Sequence, residues 1–394
     1  MLDSIYVGMT GLLGYSKGLQ VIANNTANLN TPGFKSSSLQ FADLFYSNGN
    51  TNGGLTGQSN TEFGFGLNTT GTTLSFKQGE LRQTSNDLDM AVDGQGLFVL
   101  KDDSGAISYT RAGQFQFNAD GVFVNKADGS KVMGLDANGN LTEISIAGQK
   151  TNAGHVTSTI KFSGNLSNTA ADQTVSGIQV MDATGGAHSL DVKLTSTATT
   201  TAGSWTVDLL EGTAVVGTGQ IIFESGTPQA GKANVSVTYT PTGQVAIPLT
   251  LDFTGVTSYG TGSESPLAVA SQDGYTSGAM TKATFDTAGA LVLIYSNSQT
   301  VKSTRLALGR FDTLAAVASK GDNQFTALNS QAWHTGMAGD GAFGSVKAGF
   351  VEISNVNLSQ EFSDLVILQR GYQASSQIIT TANDMLQLLF AMKK

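Results

Sequence analysis

Cysteine is absent from this 394-residue chain, prolines number five, and only 13% of residues are charged. Without cysteine there is no disulfide scaffold, no thiolate metal site and no cysteine nucleophile. Thirty acids against 21 bases leave a net charge of −9. That balance disfavours nucleic acid and anionic membrane as partners, because both are bound through Lys/Arg patches. No apolar run approaches the roughly 18 residues of a membrane span. The first residues, from Met1 to Tyr6, carry no basic leader and do not read as a cleavable secretory signal. The length suggests two to three domains of ordinary size.

Chemistry-bearing constellations are scarce too. His155, His188 and His334 are far apart in sequence and read as ordinary loop or strand residues. Gly64-Phe65-Gly66 and Asp93-Gly94-Gln95-Gly96 do not continue into a phosphate-cradling loop, and turns or bulges explain them better. Asp87 and Asp89 have no catalytic partner nearby, so a solvated or turn-stabilising role is expected. No Gly-x-Ser-x-Gly elbow occurs. No catalytic residue, cofactor or metal site is expected.

What the chain does hold is two helical patterns enclosing strand patterns. Leu2, Ile5, Met9, Leu12, Ser16, Leu19 and Ala23 are spaced alternately three and four, the seam of a helix. Gly8, Gly11, Gly14 and Gly18 lie in the same stretch, each costing about 1 kcal/mol relative to Ala, so that helix should not stand alone. At the other end Leu358, Glu361, Leu365, Leu368, Tyr372, Ser375, Ile379, Ala382, Leu386 and Leu389 keep the same spacing. They predict a helix of about 35 residues and about 50 Å, with the N-terminal stripe as the natural partner. The pair either closes one domain or assembles between chains.

Between these ends, Asn118-Ala119-Asp120-Gly121, Lys126-Ala127-Asp128-Gly129 and Asp136-Ala137-Asn138-Gly139 separate short alternating segments and predict hairpins. From Thr151 to Thr281 the chain alternates as Leu190-x-Val192-x-Leu194, Trp205-x-Val207-x-Leu209 and Ile247-x-Leu249-x-Leu251-x-Phe253. It carries nine acids against three bases there, which predicts a separate acidic β domain. Ser47 to Thr72 is rich in Asn, Gly, Thr and Ser and reads as a linker or extended arm.

Four motifs then carry a resemblance. The run from Asn24 to Lys35 (Asn-Asn-Thr-Ala-Asn-Leu-Asn-Thr-Pro-Gly-Phe-Lys) resembles the signature that follows the N-terminal helix in the bacterial flagellar rod and hook protein family. Residues 354–359 with 369–374 resemble that family's C-terminal signature, and 93–99 and 109–115 its β segment. The resemblance covers roughly residues 1–45, 73–145 and 285–394. The inserted segment 151–281 points to the longer, hook-type members rather than the shorter rod ones.

The resemblance implies a mainly β fold with α-helical termini, the terminal helices forming a coiled-coil-like inner domain with β domains nested between them. Its expected parts are an inner helical domain of 1–30 and 358–394, a connecting arm or linker of 31–72, a middle β domain of 73–146 and 283–357, and an outer inserted β domain of 147–282. It implies a self-assembling structural subunit of a tube that transmits torque, exported through the flagellar apparatus and placed outside the cell. Implied partners are many copies of itself, a distal rod protein, a cap, hook–filament junction proteins and the export apparatus. The assembly contacts are expected at Leu2, Ile5, Met9, Leu12, Leu19, Asn24, Asn25, Asn28, Pro32, Gly33, Phe34, Leu365, Leu368, Arg370, Tyr372, Gln373, Ile379, Leu386 and Leu389. Asn24, Asn25 and Asn28 fit helix caps equally well, while Pro32 and Gly33 stop the helix. Two other readings fit the composition: an enlarged distal-rod subunit, and a secreted β-rich adhesive or carbohydrate-binding protein.

Overall fold

The computed structural model describes residues 2–48, 62–136, 138–198, 201–262 and 265–392. Two helices, α1 (Leu2–Ala27) and α2 (Leu358–Met392), bracket a chain otherwise built of strands. No proline interrupts either helix. α1 ends where the Asn28 amide is shared between the carbonyls of Asn24 and Asn25, and Gly33, at φ +72°, turns the chain away after Pro32.

The helices pack antiparallel: Gly8 meets Ile379, Gly11 meets Ser375, Gly18 meets Leu368, and Tyr15 meets Gly371. A methyl group on Gly11 would lie 2.6 Å from Ser375 Oγ, and one on Gly18 2.7 Å from Leu368 Cδ1. Here one expectation is overturned. The buried face of α1 is Gly8, Gly11, Gly14, Gly18, Ile22 and Asn25, one residue and so about 100° away from the stripe of Ile5, Met9, Leu12 and Leu19. Glycine wins the seam because a missing Cβ lets side chains of α2 lie against backbone, and dispersion over that close contact offsets the propensity cost. On α2, Glu361, Leu365, Leu368, Ser375, Ile379, Ala382 and Leu386 of the expected stripe are buried or half-buried, whereas Leu358, Tyr372 and Leu389 are exposed and Gly371 takes the place of Tyr372 against Tyr15.

Residues 31–72 are more than a linker. Ser37–Asp43 pairs antiparallel with Leu67–Leu74, with an irregularity between Gln40 and Phe41, and Tyr46–Asn48 pairs with Glu62–Gly64. Leu67 and Phe41 occupy the space over Gly14, the Leu67 amide donates to Thr10 Oγ1 at 3.3 Å, and Lys17 Nζ donates to Thr69 Oγ1 at 3.0 Å. Low apolar content concealed this ladder, whose stability comes from backbone pairing and from α1 as a platform. Residues 49–61 of that segment lie outside the described residues.

The chain divides into two compact units. The first takes residues 1–147, 283–292 and 302–394 and contains both helices. Its β core holds Met90, Phe98, Phe115 and Phe123, the last three in successive edge-on contacts at 5.0 and 5.4 Å. All three expected hairpins form: Phe123 pairs with Phe117, Val124 with Lys131 and Leu135 with Leu141. Gly121, Gly129 and Gly139 supply the positive φ those turns require.

The second unit takes residues 148–282 together with 293–301, so one continuous insertion ending at 282 is not what forms. The added turn is held by Asn297 Nδ2 donating to the Thr276 carbonyl at 2.8 Å and Tyr295 Oη to the Gln149 carbonyl at 2.9 Å. A five-stranded antiparallel sheet and a four-stranded mixed sheet share one core. Leu190, Val192, Leu194, Trp205, Val207 and Leu209 come from the first sheet, and Ile247, Leu249, Leu251 and Phe253 from the second. The period-two alternation read from the sequence is the alternation of inner and outer faces in this sandwich.

Candidate assembly interface

Two of the four motifs, through Lys35 and Arg111, meet at a residue outside all of them. Glu352 is fully buried and accepts from Lys35 Nζ at 2.6 Å, Arg111 Nη1 at 2.8 Å and the Gly79 amide at 2.8 Å. Arg111 also donates to the carbonyls of Val92 and Gly94. The Gly33 amide donates to the Glu352 carbonyl at 2.8 Å, and a side chain at Gly33 would overlap the Arg111–Ala112 backbone. Asn355 completes the junction. Its Oδ1 accepts from the Ser36 amide and its Nδ2 donates to the carbonyls of Ser75 and Lys77. This buried polar network ties the strand leading to α2, the turn leaving α1 and the β body into one joint.

Two buried cations share one carboxylate there. Burial holds the Lys35 ammonium below the usual lysine range, against the attraction of Glu352, which raises it. Removing Glu352 would strand both cations, a loss of about 3–5 kcal/mol. The sequence reading missed Glu352, although a lone acid inside Phe350-Val351-Glu352-Ile353 was a signal for a buried ion pair.

Asn25 forms a second, smaller joint. It is buried, donates to the Ser37 carbonyl and to Glu361 Oε1 at 3.0 Å, and accepts from the Ser37 amide. It thereby links α1, the first arm strand and α2. Burial raises the Glu361 carboxyl above its ordinary range, with Asn25 opposing that shift and the Asp364 charge adding to it. Asn28 instead caps locally, donating to the Asn24 carbonyl and accepting from Thr31 Oγ1. The Pro32 carbonyl accepts from Asn323, and Phe34 is half-buried.

Outside these joints the helix pair is unfinished. Tyr6, Met9 and Leu13 on α1 are about half exposed or more, at 48%, 57% and 60%. Exposed Phe362, Val366, Tyr372, Ile378, Met385 and Leu389 run along α2. Of the expected contact residues, Ile5, Leu12 and Leu19 are half-buried, and Arg370, Gln373 and Asn24 are exposed. The side chain of Leu2 lies outside the described residues. Exposed apolar side chains at helical spacing on both members of a pair form a surface fit to be covered by further helices.

His188 sits 2.9 Å from Asp182 and His334 2.8 Å from Asp312, while His155 stacks on Tyr275. Asp182 is held well below the ordinary carboxylate range by its bonds to His188 and Thr184. The His334–Asp312 pair is exposed, while in the other Asp182 is buried and His188 partly covered. Among the described residues no His/Asp/Glu cluster has metal-binding geometry, and no helix is long and apolar enough to cross a membrane.

Comparison with known proteins bears on the same regions. Residues 5–35 match the flagella basal body rod protein family, 91–181 the flagellar hook protein FlgE/F/G D1 domain, and 347–392 the flagellar basal body rod FlgEFG protein C-terminal family. The flagellar hook protein FlgE of Escherichia coli is 29% identical, over 97% of this chain and 98% of its own length. That of Treponema pallidum is 28% identical over the full length of both, and the flagellar basal-body rod protein FlgG of Bacillus subtilis is 24% identical over both full lengths. Among solved structures, the crystal structure of Helicobacter pylori flagellar hook protein FlgE2 superposes with a TM-score of 0.54 at 13% identity, over 69% of this chain and all of that one. The chain belongs to the flagellar hook and basal-body rod protein family.

Proposed function

We propose that the chain is the structural subunit of the flagellar hook, polymerising into a curved, flexible tube that carries torque from the rod to the filament. The observation that carries this reading is the unfinished helix pair: a stiff antiparallel unit, joined to the β body at Glu352, with apolar side chains left exposed along both helices. Copies of the same chain are the occupants that fit, since a repeated pair covers its own exposed face by forming a continuous inner wall. Full-length similarity to hook proteins supports the same reading. The β-sandwich lies outward in this proposal, where its low charge and its Ser, Thr and Asn surface suit weak contacts that slip as the tube bends. The finer partners belong to the proposal as well: a distal rod protein below, a cap during growth, hook–filament junction proteins above, and the export apparatus that delivers the chain outside the cell.

The similarity to a rod protein along its full length keeps a straight tube as the second reading. Electron microscopy of the purified protein after salting-out separates the outcomes. Curved tubes support the hook subunit, straight tubes a rod subunit, and discrete particles would overturn assembly altogether.

A further inference from the structure

The basic residues of α1 and α2 are Lys17 and Arg370. Lys17 is held by Thr69, whereas Arg370 is exposed and, among the described residues, has no ion-pair partner. A groove of about 260 Å³ runs between α1, the first arm strand and α2. Val21, Leu39, Phe41 and Leu368 give it apolar walls, and Glu361 and Asp364 bring two carboxylates to it. Among the described residues neither carboxylate meets a cation. Glu361 Oε1 accepts from Asn25 and Asp364 Oδ1 from Gln360, each at 3.0 Å, and the charge acting on Glu361 is that of Asp364, which opposes its ionisation. From Glu361 to Arg370 the helix makes about two and a half turns and rises about 13 Å, so the two residues stand on opposite sides of α2. Arg370 therefore cannot reach the groove of its own chain.

We infer that this groove seats the Arg370 side chain of a second copy, its aliphatic stem lying on Val21, Leu39 and Leu368 and its guanidinium bonding the free oxygens of Glu361 and Asp364. A guanidinium on an apolar stem matches a groove with apolar walls and two uncompensated acids in both polarity and charge. Because the cation and its seat lie on opposite sides of one helix, the contact joins the front of one copy to the back of the next. Such a contact does not close on a pair and propagates into a ring or a helical wall. The inference rests on the hook reading for its side-by-side helix pairs, and adds the charge pair that decides which faces meet.

The test measures, by sedimentation in one salting-out buffer, the protein concentration at which the full-length chain and its charge variants form tubes. Arg370→Gln should raise that concentration about tenfold, the loss of one charge-assisted contact, and Arg370→Glu should abolish tubes. Adding Asp364→Arg to Arg370→Glu should recover most of the yield, because the reversed pair meets again between copies. Adding Asp384→Arg instead restores the same net charge at an exposed position of α2 outside the groove, and should recover nothing. The melting curve of Arg370→Gln monomer should coincide with that of the wild type, since the side chain is exposed; a shifted curve would mean an intramolecular role and overturn the inference. Undiminished yield from Arg370→Glu, equal rescue by both second changes, or rescue by neither would also overturn it. Wild-type tubes alongside any of those results would sink this contact alone, whereas no tubes from the wild type would sink the hook reading and the contact together.

Discussion

The helix pair and the β-sandwich use apolar residues in opposite ways. In the sandwich, the alternating Leu190, Val192, Leu194, Val207, Leu209, Leu249 and Leu251 turn inward, and Trp205, Phe162 and Phe253 are almost wholly buried. In the helix pair, the contact seam is lined on one side by glycine, while Met9, Leu13, Ile378 and Leu389 face outward. The sandwich therefore satisfies its apolar surface within one chain, and the helix pair holds much of its own in reserve. Apolar content says little about where a chain is most stable. What matters is whether the partner surface belongs to the same molecule.

Breaking the reserve side gives the largest expected effect. Leu13→Asp should abolish tube formation, since an unpaired carboxylate would be buried in every subunit of the wall. Because Leu13 is exposed in the single chain, unfolding should change by less than about 0.5 kcal/mol. Unchanged polymer yield by sedimentation would mean this face of α1 is not an assembly face.

Breaking the satisfied side should do the converse. Trp205→Ala leaves a cavity in the sandwich and should lower its stability by about 3–5 kcal/mol in denaturant melts. Tubes should still form at temperatures where the variant remains folded. If they fail there, the sandwich takes part in the essential contacts, and the division of labour drawn above is wrong.

Sharpening the comparison requires the seam itself. Gly11→Val should push α2 away through Ser375 and cost the pair about 1–3 kcal/mol, read as lost helical circular dichroism and faster proteolysis near both termini. Gly11→Val combined with Ser375→Gly should recover part of the loss, because the second change vacates space that the first one fills.

The smallest effect concerns Glu361, whose carboxyl is raised by burial at the seam. A carboxyl with a raised folded-state pKa binds its proton more tightly when folded. The stability it contributes is present below the ordinary carboxylate range and is lost as pH rises through that range to the folded value. Glu361→Gln should therefore melt slightly higher than the parent at neutral pH and show no advantage in acid. An advantage that grows on acidification would reverse the assignment.

Periodicity alone located much of this protein. Spacings of three and four found both terminal helices, and period-two alternation with Asp-Gly and Asn-Gly turns found the hairpins and the sandwich core. Local geometry dictates those patterns, so they are visible without a partner. Three matters were decided only by tertiary structure. α1 packs on its glycines and not on its leucines, because close backbone approach is a property of two helices together. The polar arm became a ladder because α1 offered a surface beneath it. Glu352 became the joint of the molecule because charges separated by hundreds of residues, at Lys35 and Arg111, converge in a space from which water is excluded, and no local spacing in the sequence encodes that meeting.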